Sequence, residues 1–329
     1  PGATISVRVR GGGSITQSND PLYVVDGFPV SNIGDIPASE IESIDVLKDA
    51  SSAAIYGSRA ANGVVIVTTK EGSNTEGKPI IDLSANVGVS SPSKYLDLLD
   101  AAGWAEVTTV SRRAAGLSPL EMAQDLASKP DNDWQDLMFG PALMQNYALS
   151  VKGGGKYSTY YNSVGYTNQD GVMKGTNYQR YTLQSKQDFK KGIFQAGTNV
   201  VLTYDQSNPL YSVIRGGMVG HTLQAIPTWE QYDENRTGGY GGLYGDVVNL
   251  THPLGMVDDN LMKRYSDNVK IFANAYVSVE LMKGLKYKLN LTPDFQFYRY
   301  NSYEGLFDFG LAKHDITAVT EQQLSLIHI

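Results

Sequence analysis

The chain has 329 residues, which is enough for about two folded domains. Its 27 lysines and arginines against 34 aspartates and glutamates leave a net charge of -7, which argues against a nucleic-acid partner, because phosphate binding needs a basic surface. The absence of cysteine excludes disulfides, thiolate metal sites and a cysteine nucleophile. The longest strongly apolar run, Val64 to Val67, is too short for a membrane-spanning helix, but transmembrane β-strands carry a weaker signal and are not excluded.

Residues 1–72 predict a compact α/β domain. Its predicted strands are Ile5–Arg10, Leu22–Val25, Ser43–Leu47 and Val64–Lys70, and its predicted short helices are Pro37–Ile41 and Ala50–Tyr56. Asp26-Gly27 and Asn62-Gly63 are turn pairs, and Asp49 is a suitable N-cap for the second helix. Residues 73–79 predict a linker.

Long alternating strands follow from residue 80 to residue 323. In Val269–Leu281 every odd position is apolar, and at 41% apolar content seven matches in seven arise by chance with a probability of about 0.002. We predict seven strands: Ile81–Val89, Tyr147–Lys152, Tyr157–Thr167, Arg180–Phe189, Phe194–Tyr204, Val269–Leu281 and Leu285–Phe297.

The connections between these strands alternate between long and short. A helical insert is predicted at about 92–140, with helices at Tyr95–Val110, Pro119–Ala127 and Trp134–Phe139, and a long outer loop is predicted at about 206–268. Antiparallel strands with this rhythm have all short turns at one end, as in outer-membrane barrels. A soluble β-sandwich or β-helical adhesin remains the alternative, because alternation alone does not say whether the apolar face meets lipid or a second sheet.

We interpret the chain as a fragment. Its first predicted strand begins almost at Pro1, so we expect any signal peptide to lie upstream. The last six residues, Leu324 to Ile329, are predicted to be a translated sequencing adapter rather than protein.

The first 72 residues resemble the plug domain of TonB-dependent outer-membrane transporters of the SusC/RagA group. The matching segments are Val9–Gly11, Pro21–Val30, Ile41–Ala50 and, most distinctively, Ala53–Lys70, with weaker matches at Asn132–Asp136 and around Gly153 and Tyr160–Tyr166. The resemblance implies an α/β plug followed by antiparallel transmembrane strands, about seven of an expected 22, in a barrel of the bacterial outer membrane. It also implies import of large nutrients, oligosaccharides or peptides, with a SusD-like surface lipoprotein as lid. Energy would come from the TonB-ExbB-ExbD complex through an N-terminal segment not seen here.

The resemblance assigns the plug-motif residues structural or gating roles. They are Arg10, Gly11, Asp26, Gly27, Lys48, Asp49, Tyr56, Gly57, Arg59, Asn62 and Gly63. Lys48, Asp49 and Arg59 are predicted to form a polar network that holds the plug against the barrel. Polar side chains on the inner face of the strands are predicted to line the lumen: Lys270, Asn274, Lys286, Lys288 and Asp294.

Aromatic residues in the long outer loop are candidate contacts for a ligand or for the lid, because aromatic faces beside polar groups suit sugars and peptides. They are Trp229, Tyr232, Tyr240 and Tyr244, together with the polar Arg236. Packing of this loop on its neighbours is the competing interpretation. Tyr157, Tyr160, Tyr161 and Tyr166 are assigned instead to aromatic girdles at the membrane interface.

The sequence predicts no enzyme, no metal and no cofactor. Gly153–Tyr157 lacks the spacing of a phosphate-binding loop, and the histidines lack metal-ligand spacing. Asp133 is interpreted as a helix cap rather than a calcium ligand. Two alternatives stay open beside a SusC/RagA-type importer: a siderophore or cobalamin receptor without a lid, and a soluble β-rich adhesin.

Overall fold

A computed structural model describes residues 2, 9, 20–30, 33–34, 36–48, 56–57, 60–209, 217–243, 247 and 250–328. Two sheets contain most of this part of the chain: a small N-terminal sheet and a long antiparallel sheet that follows it. Within the described ranges, no helix has the length and apolar character needed to cross a membrane.

The N-terminal sheet has four short strands. They are β1 (Leu22–Val25), β2 (Phe28–Val30), β3 (Ile41–Leu47) and β4 (Val64–Thr69), in the order β2-β1-β4-β3. β1 runs parallel to β4, while β2 and β3 are antiparallel to their neighbours. Val25 and Val67 are buried at its centre. The three predicted strands that lie within the described residues are confirmed.

Turn chemistry explains how β1 and β2 pair. Asp26 and Gly27 have φ angles of 49° and 90°, and positive values at both central residues define the turn that matches the twist of a hairpin. The predicted helix at Pro37–Ile41 is a single 3₁₀ turn, Ala38–Glu40, because Ile41 already has extended backbone angles and begins β3.

Several predicted features lie outside the described residues. They are the strand Ile5–Arg10 apart from Val9, the helix Ala50–Tyr56 apart from Tyr56, and the individual residues Arg10, Gly11, Asp49 and Arg59.

The long sheet contains nine strands rather than the seven predicted. They are β5 (Ile80–Ser90), β6 (Ala142–Gly154), β7 (Ser158–Asp170), β8 (Asn177–Lys191), β9 (Phe194–Asn208), β10 (Met262–Met282), β11 (Leu285–Leu291), β12 (Pro293–Glu304) and β15 (Thr317–His328), with a small separate ribbon of β13 (Phe307–Asp308) and β14 (Lys313–His314). β11 and β12 both pair with β10 and divide the predicted strand Leu285–Phe297 at Thr292. The backbone of Leu324–His328 continues β15, and its interpretation as an adapter stays a prediction.

The alternation of short and long connections is confirmed. Residues 155–157, 192–193 and 283–284 form the short turns, and the long connections are 91–141 and 209–261. The predicted outer loop at 206–268 was too long, because β9 extends to Asn208 and β10 begins at Met262, and the added residues are largely polar and give no apolar alternation. All the short turns lie at one end of the sheet, which runs from β15 to β5 without closing.

The long connections carry three helices. α1 (Ala101–Ala114) begins later than predicted, after Asp100, whose carboxylate accepts a hydrogen bond from the Gly103 amide. α2 (Trp134–Met138) is as predicted, and the carboxylate of Asp133 caps it. The prediction of a helix at Pro119–Ala127 is wrong, because this stretch forms two separate 3₁₀ turns, Glu121–Ala123 and Leu126–Ser128. α3 (Gly217–Gln224) was not predicted.

The two faces of the long sheet differ in polarity. The inner face, which we define as the face against the N-terminal sheet, buries polar side chains such as Gln184, Asn199 and Asn274. The outer face exposes aliphatic side chains, among them Leu83 at 75% and Leu289 at 61%. A water-soluble sandwich has the opposite arrangement, with its apolar face buried. This polarity is that of a strand wall whose outer face meets lipid.

Candidate functional site between the two sheets and in the outer loops

Asp26 links the N-terminal sheet to the inner face of the long sheet. Its carboxylate accepts hydrogen bonds from the amide and hydroxyl of Thr69, at 2.9 and 2.6 Å, so it fixes the β1–β2 turn to the end of β4. The same carboxylate accepts a 2.9 Å bond from Nδ2 of Asn199 on β9 and lies 3.4 Å from Nζ of Lys186 on β8. One side chain therefore ties three strands of one sheet to two strands of the other.

The surroundings of this contact are also polar and buried. Gln184 on β8 is 1% exposed and donates to Oγ1 of Thr69 and Oδ1 of Asn199. Glu71, after β4, lies 3.7 Å from Nζ of Lys186. Lys186 thus sits between two carboxylates of the N-terminal region.

A second contact joins Glu40 to Tyr161 on β7. The tyrosine hydroxyl donates a 2.8 Å hydrogen bond to Oε2 of Glu40, and both residues are 2% exposed. Assignment of Tyr161 to an aromatic girdle was therefore wrong, because this side chain faces the inner side. A buried carboxylate that loses its donor is costly, so the pair fixes how the N-terminal sheet lies against β7.

The linker between the two sheets is tied down as well. The amides of Thr75 and Gly77 both donate to the carbonyl oxygen of Gly154, at 3.2 and 2.9 Å, where β6 turns toward β7. Gly72 lies so close to Tyr160 that a side chain at this position would overlap the tyrosine backbone. The chain that leaves β4 is thus attached to the sheet it enters.

A cavity of about 470 Å³, lined largely by polar residues, lies beside the Asp26 contact, between the β1–β2 turn and the part of the inner face near the short turns. Its wall includes Asn274, Lys286 and Lys288, and Nζ of Lys288 lies 4.6 Å from the ring centroid of Tyr276 and 6.0 Å from that of Phe28. Lys270 and Asp294 line a smaller cavity beside Val25. The five side chains predicted to face the lumen do lie on the inner face.

Of the predicted polar network, only Lys48 lies within the described residues, directly after β3. Among the described residues, the side chains that join the two sheets include Asp26, Thr69 and Glu40 on one side and Tyr161, Lys186 and Asn199 on the other. Asp26 was predicted to form a turn and to have a structural or gating role, but its partners on the long sheet were not predicted. Alternation along β7–β9 does predict one part of this contact: it places Tyr161, Lys186 and Asn199 on the face opposite the aliphatic side chains.

A separate hydrophobic core forms where the long connections meet, and we name it the outer-loop core. Its buried members are Trp134, Met138, Met173, Met218, Ile226, Trp229, Leu243, Leu250, Leu254, Met256, Met262, Phe307 and Phe309. Nε1 of Trp134 donates to the carbonyl of Ile226, and Nδ2 of Asn132 donates to that of Trp229. These bonds join the two long connections to each other.

The candidate ligand contacts separate into buried and accessible residues. Trp229 is 0% exposed and packs against Trp134 and His252, so in this conformation its ring has no face open to a ligand. Tyr232 is 63% exposed, with its ring 5.5 Å from that of Tyr240. Arg236 forms an ion pair with Asp233 at 2.9 Å. Tyr244 lies outside the described residues. Contact of Tyr232 and its neighbours with a ligand or lid stays a prediction.

His252 is the titratable group at the centre of the outer-loop core. Its Nε2 lies 3.1 Å from the carbonyl of Glu230, which can only accept, and its Nδ1 accepts from the amide of Gly255. This pattern requires the neutral ring. Burial lowers the pKa of His252 to about 4, and it also lowers the pKa of His221, whose Nδ1 accepts from the Thr251 amide.

We expect the outer-loop core to lose stability on acidification. Because the folded pKa of His252 is below its unfolded value of about 6.5, its contribution is complete above pH 6.5 and is lost as the pH falls toward 4, by about 3 kcal/mol in total. The fluorescence of Trp134 and Trp229 reports this transition. His252→Gln should weaken the pH dependence, and an unchanged pH dependence in this variant contradicts the assignment.

The outer face carries a row of tyrosines across four neighbouring strands. Tyr147, Tyr166, Tyr181 and Tyr204 are paired in register, with successive ring centroids 6.4, 5.0 and 6.3 Å apart. On the side toward the short turns the next outward residues are aliphatic, such as Leu183 and Leu202. On the side toward the long connections they are polar, such as Gln179 and Gln206. A boundary of this kind is typical of a membrane interface.

Metal-ligating side chains do not cluster in the described part of the chain: no group of three or more His, Asp or Glu residues lies close enough to hold an ion. Asp133 is occupied as the cap of α2, where it accepts from the amides of Gln135 and Asp136.

Known proteins with similar sequences are TonB-dependent receptors. The model of the TonB-dependent Receptor Plug Domain matches residues 1–64. TonB-dependent receptor P26 of Formosa agariphila is 34% identical over 308 residues, which cover 90% of this chain and 29% of the relative. TonB-dependent receptor SusC of Bacteroides thetaiotaomicron is 31% identical over 292 residues, which cover 85% of this chain and 28% of SusC. The chain thus spans less than a third of the length of these relatives.

The fold is shared with solved structures. The structure of the RagAB peptide transporter matches with a TM-score of 0.77 at 23% identity, covering 91% of this chain and 37% of the matched chain. The N-terminal sheet therefore corresponds to a plug, and the long sheet to part of an outer-membrane β-barrel. Together with the polar inner face and aliphatic outer face, these relationships identify the chain as belonging to the SusC/RagA-type TonB-dependent receptors of the bacterial outer membrane.

Proposed function

We propose that the protein imports large nutrients, oligosaccharides or peptides, across the outer membrane together with a SusD-like surface lipoprotein that closes its outer mouth. The TonB-ExbB-ExbD complex would supply the energy, and outer-membrane lipid would surround the strands. The sequence similarity to SusC and the fold shared with the RagAB peptide transporter support this assignment.

The observation that carries the proposal is the N-terminal sheet lying on a polar wall. A hydrophilic cargo that moves between the plug and the wall needs hydrogen-bonding groups on the wall. The inner face offers amides, carboxylates and lysines around a cavity of about 470 Å³. The exposed aliphatic outer face disfavours a soluble adhesin. Relatives of the SusC type disfavour a siderophore or cobalamin receptor without a lid.

The outer-loop core supports a recognition role for the long connections. Its buried residues hold 91–141 and 209–261 together, and Tyr232 stands at its surface with 63% exposure. An exposed aromatic ring on a rigid base suits contact with a sugar ring, a peptide or the lid.

Deletion of the receptor gene tests import directly. We expect the deletion strain to lose growth on one class of polymer, glycan or protein, while it keeps growth on the corresponding monomers, because monomers pass through general porins. Deletion of TonB should produce the same defect. Affinity purification of the receptor in detergent should also recover a surface lipoprotein. Unchanged growth of the deletion strain on every glycan and protein supplied contradicts the proposal.

A further inference from the structure

The two ends of the long sheet differ in charge. The long connections are acidic, with eight acidic against four basic residues in 91–141 and six against two in 209–261. At the other end each short turn contains or adjoins lysine, and we name these residues the short-turn rim: 155–157, 190–193 and 282–284. The rim has four lysines, Lys156, Lys190, Lys191 and Lys283, and no acidic residue. A chain with a net charge of -7 thus ends its wall in a row of cations.

Three of these lysines meet at one tyrosine. Nζ of Lys156 lies 5.3 Å from the ring centroid of Tyr157, and Nζ of Lys191 lies 5.6 Å from it. The amide of Lys190 donates a 2.7 Å hydrogen bond to the Tyr157 carbonyl, which fixes the two turns side by side. A cleft of about 360 Å³ between the turns is lined by Lys156, Tyr157 and Lys190, among others. The two turns therefore bring three lysines to one place on the rim.

Carboxylates do not neutralise this group of lysines. Within the described residues, none of the three forms an ion pair. The two carboxylates that share the cleft have other partners: Asp188 accepts a 2.6 Å hydrogen bond from the Tyr276 hydroxyl, and Glu71 lies 3.7 Å from Nζ of Lys186. The charge of the three lysines is therefore open to an external anion.

The distance from the tyrosine row places the rim at the second membrane interface. Tyr181 belongs to that row, and Lys191 follows it by ten positions on β8. At a rise of about 3.4 Å per residue and a strand tilt of about 40°, ten residues span about 26 Å along the membrane normal. The apolar band of a transmembrane β-barrel is about 25 Å tall, so the lysines reach the headgroup layer. Phe189 and Phe194 are exposed on the outer face beside them, where acyl chains would lie.

We propose that the short-turn rim binds the phosphate of an anionic phospholipid from the inner leaflet of the outer membrane, with Lys156, Lys190 and Lys191 as the binding residues around Tyr157. Short turns of outer-membrane barrels face the periplasm, which places the rim at this leaflet. Each lysine near a membrane surface raises the affinity for anionic lipid by about fivefold. A soluble anion would gain the charge contacts but not the apolar contact with the two phenylalanines. The inference goes beyond the import proposal and holds for any cargo, because it concerns membrane lipid.

Native mass spectrometry of the complete receptor measures this binding. The detergent-solubilised protein is titrated with phosphatidylglycerol and, separately, with phosphatidylcholine that has the same acyl chains. We expect the wild type to bind phosphatidylglycerol more tightly by about tenfold or more, and the variant Lys156→Gln/Lys190→Gln/Lys191→Gln to lose about a hundredfold in that affinity. Equal affinity of the wild type for the two lipids overturns the inference.

Lys94→Gln/Lys129→Gln/Lys174→Gln is the matched control, since it removes the same charge from the opposite end of the sheet. We expect its affinity for phosphatidylglycerol to stay within about twofold of wild type. An equal loss in both triple variants shows an effect of net charge alone and overturns the site.

Heat-dependent migration on gels checks that each variant forms a folded barrel. If the rim triple variant does not fold, Lys191→Gln and Lys191→Arg replace it. We expect about a fivefold loss of affinity in Lys191→Gln and less than about twofold in Lys191→Arg, which keeps the charge. Unchanged affinity in Lys191→Gln overturns the inference.

Glycerol 3-phosphate tests whether the phosphate must belong to a lipid. It carries the phosphate without acyl chains, so we expect it to displace phosphatidylglycerol only at a concentration about a hundredfold or more above that of the lipid. Displacement at equal concentration identifies a site for a soluble anion and overturns the lipid assignment.

Discussion

Asp26→Asn is expected to loosen the N-terminal sheet from the wall. The asparagine amide group would face Nδ2 of Asn199 or Nζ of Lys186, so a donor would meet a donor where the carboxylate now accepts from both. Loss of a largely buried, charge-assisted contact typically costs about 3 kcal/mol. At 1.4 kcal/mol for each factor of ten, the displaced state becomes about a hundredfold more populated.

Two measurements detect the loosened state in the complete receptor. Amide hydrogen exchange in β1 and β4 should accelerate, and cells should become more sensitive to vancomycin, which is too large for general porins. Asp45→Asn is the matched control, because Asp45 lies on β3 of the same sheet, is exposed, and accepts a 3.5 Å hydrogen bond from Oγ of Ser43. Equal exchange rates in the two variants contradict the role of Asp26.

The turns and the face assigned to each strand residue could be predicted, because both depend on residues close together in the sequence. Asp26-Gly27 requires positive φ angles that few residue pairs accept, and alternation along Val269–Leu281 assigns each side chain to a face. The inner-face positions of Lys270 and Asn274 follow from that period without knowledge of their partners. Errors arose at strand ends, where β10 continues to Met262 through the largely polar residues 263–268, which show no apolar alternation.

Contacts between distant segments could not be predicted. Glu40 and Tyr161 are 121 residues apart, and no sequence pattern indicates that they meet. Alternation along β7 places Tyr161 on the face opposite Val164, but it does not identify the carboxylate that the tyrosine bonds. Trp229 is a similar case: a Tyr- and Gly-rich loop suggests exposure, whereas burial of its tryptophan depends on residues from three other connections.

Trp229→Ala is expected to destabilise the outer-loop core. Its ring is fully buried, with centroids 5.8 Å from Trp134 and 4.7 Å from His252, and truncation of a buried tryptophan to alanine leaves a cavity that costs about 3–5 kcal/mol. The core holds the two long connections together, so both should become accessible to protease. We expect the strands to be unaffected, because they are paired independently of these loops.

The matched variant Tyr232→Ala separates packing from recognition. Tyr232 is 63% exposed, and its truncation should change loop stability by about 0.5 kcal/mol or less. If Tyr232 contacts cargo or lid, its alanine variant should weaken that binding while limited proteolysis of the loops stays at the wild-type rate. Trp229→Ala should instead alter both, since a ligand surface that rests on this core is lost with it. Wild-type protease resistance in Trp229→Ala contradicts the packing role and would restore Trp229 as a candidate ligand contact.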